Sequence, residues 1–68
     1  MSPARRTYDI RIAGRLTELA SAYSPHAVDY ADGVSVVRAR EVDQAALFGL
    51  IHRTQSLGLE LLEVRIVG

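Results

Sequence analysis

Two segments at opposite ends of the chain constrain the fold more than anything between them. Tyr8, Ile10 and Ile12 alternate with Asp9, Arg11 and Ala13 near the start; Leu62, Val64 and Ile66 alternate with Glu63 and Arg65 near the end. A period of two marks a strand with one face buried and one in water. Laid antiparallel with Asp9 opposite Arg65 and Arg11 opposite Glu63, the two segments match opposite charges twice on the wet face. The same register sets Tyr8 beside Ile66, Ile10 beside Val64 and Ile12 beside Leu62 on the other. Such cross-strand pairs contribute roughly 0.2–1 kcal/mol each, and a one-residue slip would turn every apolar side chain outward. The first and last strands are therefore expected to be neighbours.

The elements between them follow from local chemistry. Gly14 closes the first strand. Thr17 is placed to cap a short helix carrying Leu19, Ala20 and Tyr23, ended by Ser24-Pro25. Ala27 to Ala31 reads as a weaker strand with Val28 and Tyr30 on one face. Asp32-Gly33 then supplies the positive φ angles of a two-residue hairpin turn. Val34 to Arg40 is the third strand, and its facing stays open, since Val34 and Val36 compete with Val37 and Ala39 for the core. Asp43 is a good N-cap for a long helix, with Val42 and Leu47 spaced as a hydrophobic staple. Leu47, Leu50, Ile51, Thr54 and Leu57 recur on one helical face, and Gly58 suits a left-handed stop. The expectation is a single α+β domain over residues 7–68, preceded by a disordered arm at 1–6. Its order is that of a ferredoxin-like βαββαβ fold: a four-stranded antiparallel sheet with a short first and a longer second helix on one face.

A 68-residue chain with no cysteine has no disulfide to staple it. A core of this size usually supplies no more than about 3–5 kcal/mol, so association with another chain is a physical expectation. Eight arginines balance eight acids, which argues against nucleic-acid binding by phosphate neutralisation. The absence of lysine and asparagine reads as the codon bias of a GC-rich bacterial genome. No run approaches the ~18 apolar residues of a membrane span, and residues 1–6 lead into no apolar secretory segment. A cytoplasmic protein without membrane, metal or cofactor is the expectation.

Marked chemistries are missing from the sequence. His26 and His52 lie on different elements without a second ligand at metal spacing. There is no Gly-x-Ser-x-Gly elbow, and the glycines form no phosphate-cradling loop. Pro3 sits behind Ser2, so loss of the first methionine would not free the proline amine that very small tautomerases use. The third strand has no aromatic residue on which an RNA base could stack. Arg38 and Arg40 share a face that could meet an anion, but a solvated edge is the better account of them.

Gly14 lies within Ile12-Ala13-Gly14-Arg15-Leu16, at the strand–helix junction where ACT domains carry a glycine that admits a small effector to the backbone. The order of elements resembles those domains as well, but the acidic residue usual before that glycine is missing. The resemblance implies a ligand site at Gly14 and Arg15. Over most of its length the chain also resembles a group of short actinobacterial proteins of unassigned function. The shared features are the strand Tyr8 to Leu16, the helix start Asp43-Gln44-Ala45, and the close from Leu57 to Arg65. That likeness implies a fold and no activity.

One feature is unusual for a surface helix, whose outer face is normally charged. Between Asp43 and Leu57 the only formal charges are Asp43 and Arg53. At about 100° per residue, Ala45, Gly49, His52 and Ser56 line the side opposite the core, with Phe48 on the flank. These five residues are the expected contact surface of a non-catalytic oligomerising or partner-binding module, such as an accessory or regulatory subunit. Two alternatives belong to other classes: a sensor of a small anion or amino acid near Gly14, and a cofactor-free enzyme with a pocket between sheet and helices, using His52 or a tyrosine.

Overall fold

The computed structural model describes residues 4–68. In chain order it contains β1 (Arg6–Ala13), a 3₁₀ helix (Thr17–Tyr23), β2 (Ala27–Ala31), β3 (Val34–Val42), α1 (Gln44–Ser56) and β4 (Leu61–Ile66). The strands form one antiparallel four-stranded sheet in the order β2-β3-β1-β4. The chain's first and last strands are thus neighbours, and the architecture is α+β. Of the expected arm at 1–6, residues 1–3 lie outside those described, and Arg6 already pairs with Val42 as the first residue of β1.

The register of β1 on β4 follows the charge and hydrophobic pattern along most of its length. Tyr8 pairs with Ile66, Asp9 with Arg65, Ile10 with Val64 and Arg11 with Glu63. The expected Ile12–Leu62 pair does not form. A bulge opposes Ile12 to Leu61, which is half-buried, and leaves Leu62 exposed. Two residues on β4 then face one on β1, as a bulge requires. Ile66 pairs with Tyr8 on the helix side of the sheet as expected, yet it stays exposed because β4 is an edge strand with no further strand beside it.

β3 resolves its ambiguous facing by burying Ser35, Val37 and Ala39 and leaving Val34, Val36 and Arg38 half-buried on the other face. The buried hydroxyl is accommodated because Ser35 Oγ donates to the Gly14 carbonyl at 2.6 Å. A second bulge, with Glu41 at φ 53°, separates Ala39 from Val42 so that both point inward. The β2–β3 turn has Asp32 at φ 53° and Gly33 at φ 78°, the paired positive angles of a tight hairpin.

The buried row Tyr8, Ile10, Ile12, Val37 and Ala39 forms one cluster with Leu16 and Tyr23 of the 3₁₀ region and Val42, Leu47 and Leu50 of the α1 region. Both helices therefore lie on the same face of the sheet. The Asp43 carboxylate caps α1 by accepting from Ala46 N–H at 2.8 Å. At the other end, Gly58 N–H donates to Gln55 and Leu59 N–H to Thr54, a Schellman closure with Gly58 at φ 74°. Thr17 is not a cap. Its hydroxyl donates to the Leu16 carbonyl at 2.7 Å, and Leu16 holds the cap position without a side-chain bond. The segment accordingly winds as 3₁₀ rather than α-helix, with Leu16 drawn into the core.

Among the described residues no helix is long and apolar enough to cross a membrane, and no three metal-ligating side chains come together.

Candidate functional site

The half-exposed sheet face left free by the helices is a checkerboard of charge. Reading across β2, β3, β1 and β4, one row is Ala27, Arg38, Asp9, Arg65, and the next is Asp29, Val36, Arg11, Glu63. Its strongest contact is bidentate: Arg38 Nε and one terminal nitrogen each donate to an Asp9 carboxylate oxygen at 2.8 Å. Arg11 lies 3.5 Å from Glu63, which Arg65 also approaches at 3.3 Å. Arg38, one half of the suggested anion contact, is therefore already committed to Asp9, while Arg40 is exposed.

This pairing gives Asp9 a defined pH signature. The hydrogen bonds from Arg38 hold its carboxyl below the ordinary value of 3.8, opposed by burial and assisted by the charges of Arg38, Arg65 and Arg11. A depressed folded-state value stabilises the fold above the unfolded value, and that contribution is lost as pH falls through the folded one. Asp9→Asn is therefore expected to flatten the acid limb of stability below about pH 4, where the ordinary carboxylate titrates. Urea midpoints measured from pH 2.5 to 7 for both proteins test this; parallel curves would rule the pair out as a pH-linked contact.

At the end of β1, Gly14 (φ 86°) donates its N–H to the Gly33 carbonyl at 2.7 Å and accepts from Ser35. Ala13 N–H is likewise taken, by Glu60. The amides of Ala13 and Gly14 are thus both bonded within the fold. The Arg15 guanidinium rests 4.2 Å above the Tyr30 ring centroid, a cation–π contact bracing β2.

The three tyrosines and His52 lie apart. Tyr23 is buried with its hydroxyl 2.7 Å from Thr54 Oγ1, Tyr30 lies under Arg15, and His52 is on the outside of α1. Tyr8 forms the inner wall of a small hollow of about 290 Å³ completed by Ala4, Arg6 and Gln44, all three exposed. Sequence reasoning did not anticipate this hollow, because it depends on Arg6 belonging to β1 and on where α1 begins.

All five residues expected to form a contact surface on α1, Ala45, Phe48, Gly49, His52 and Ser56, are exposed. Phe48 is 60% exposed. The helix's one arginine, Arg53, donates to the Ala22 carbonyl and so turns its flank toward the 3₁₀ segment. By helical geometry, Gln44, Phe48, Ile51 and Gln55 occupy the opposite flank, toward β4. There Ile66 is 57% and Leu62 46% exposed, while Ile51 and Val64 are half-buried against the core. By that geometry Phe48, Leu62 and Ile66 make an apolar seam on the α1–β4 side of the molecule; sequence reasoning missed its β4 half because it took facing the helices to mean burial for Leu62 and Ile66.

Residues 7–65 match the family described as Domain of unknown function (DUF8691). No curated protein and no solved structure matches the chain.

Proposed function

The chain belongs to the DUF8691 family, and we propose that it is a non-catalytic, self-associating protein-binding module that works through its α1–β4 side. The observation that carries this reading is the seam of Phe48, Leu62 and Ile66, three large apolar side chains left in water by a chain with little core to spare. The uncharged outer surface of α1 supports it, since Ala45 and Gly49 allow another backbone to approach closely. A ferredoxin-like classification is part of the same proposal, supported by the all-antiparallel β2-β3-β1-β4 order and two helices on one face. That architecture hosts many unrelated functions, so the site rather than the fold carries the argument.

Light scattering of the untagged protein at micromolar concentration is expected to give at least twice the chain mass. Phe48→Asp should return the protein toward monomer while leaving far-UV circular dichroism unchanged, because Phe48 contributes little to the core. A parent protein that is monomeric throughout overturns self-association.

A further inference from the structure

We infer that β4 pairs with β4 of a second copy, antiparallel about a two-fold axis through Val64, joining two four-stranded sheets into one of eight strands. The inference rests on the self-association proposed above and names its strand and register.

The hydrogen-bond parity of β4 comes first. Val67 N–H donates to the Thr7 carbonyl at 2.8 Å, in line with the Asp9–Arg65 and Arg11–Glu63 pairs. Successive residues of an antiparallel strand point their N–H and C=O groups to opposite sides. Glu63, Arg65 and Val67 therefore face β1, whereas Leu62, Val64 and Ile66 direct theirs out of the sheet edge, where no strand lies. An isologous partner must be bonded through these even-numbered residues.

Only a few centred registers satisfy that parity, and charge selects among them. A two-fold axis at Glu63 would oppose two carboxylates, and one at Arg65 would oppose two guanidinium groups. The axis at Val64 instead puts Glu63 against Arg65 of the second copy, and Arg65 against its Glu63. On the helix side it puts Leu62 against Ile66 and Ile66 against Leu62, covering the two large apolar side chains that β4 leaves exposed. Opposite charges and matched apolar pairs across antiparallel strands are the favourable combinations. The other edge lacks this symmetry: β2 has five residues with Asp29 at its middle, so its centred register opposes like charges. The bulge at Leu61–Leu62 is a feature of the kind that blocks edge pairing, but it lies at the start of β4, and the strand beyond it is self-complementary about Val64.

The chain contains no cysteine, so introduced thiols report the register cleanly. In the inferred dimer position 63 faces position 65 of the partner with Cα atoms about 4.5 Å apart, within disulfide range. Two copies of position 63 lie about 8 Å apart from strand geometry alone, too far to bridge. Glu63→Cys and Arg65→Cys, both at exposed positions, should each remain uncrosslinked alone under mild oxidation and form a disulfide dimer when mixed. As a second variant, Ile66→Pro removes an N–H that β1 does not use and should raise the dissociation constant at least tenfold while preserving the circular dichroism spectrum.

A dimeric parent whose mixed cysteines fail to crosslink, or whose single variants crosslink alone, overturns the register while leaving self-association standing. A monomeric parent overturns both, and means that this edge, if covered, is covered by a different protein.

Discussion

Ile10→Ala is expected to remove most of the domain's stability, leaving a substantial fraction of the chain unfolded at 25 °C. Ile10 is fully buried on β1, flanked by Val37 on one side and Val64 on the other. Removing its branched side chain loses transfer energy and leaves a cavity that two neighbouring strands cannot collapse into. Substitutions of this kind cost about 2–5 kcal/mol. Against the roughly 3–5 kcal/mol that a core of this size supplies, that is most of the total. Arg11→Ala, one residue away on the half-exposed face, should shift stability by no more than about 0.5 kcal/mol. Thermal melts by circular dichroism separate the two, since 1 kcal/mol moves the midpoint of a domain this small by about 4–8 °C. If Ile10→Ala melts within a few degrees of the parent, the sheet's buried face is not what holds the domain together.

The contrast between these neighbours explains what the sequence disclosed. The β1 alternation, the Asp32-Gly33 turn, the Asp43 cap and the Gly58 stop each depend on chemistry within a few residues, and each is present. The β1–β4 register was legible across more than fifty positions because two independent patterns, charge and hydrophobicity, demanded the same alignment. It failed only at Leu62, where a bulge gives two leucines in succession nearly equal claims on one place. The facing of β3 was illegible for a related reason. Burying Ser35 is unfavourable until Gly14's carbonyl is seen to accept its hydroxyl, and that acceptor lies on another strand end. Thr17 satisfied the composition of a cap, but the path out of Gly14 turned its hydroxyl back to Leu16. The exposed seam was half legible: uncharged positions on α1 could be counted, whereas the exposure of Ile66 depends on β4 being an edge.

Thr54→Val should be the more damaging half of a coupled pair, and the pair tests how the 3₁₀ segment docks on α1. Thr54 is buried and donates its hydroxyl to the Leu50 carbonyl at 2.9 Å. That leaves its oxygen to accept from Tyr23, whose hydroxyl lies 2.7 Å away and is likewise sealed from water. Valine keeps the shape of threonine but strands the tyrosine hydroxyl without a partner, at a cost of about 1–3 kcal/mol. Tyr23→Phe removes the donor, while Thr54 keeps its own bond to Leu50, so the expected loss is about 1 kcal/mol. With both changes no hydroxyl remains to be satisfied, and the double variant should be more stable than Thr54→Val alone. Urea denaturation of the four proteins gives the coupling directly. Strict additivity would mean that the two hydroxyls do not meet, and that the segment linking β1 to β2 is held over the sheet by its apolar contacts and the Arg53–Ala22 hydrogen bond.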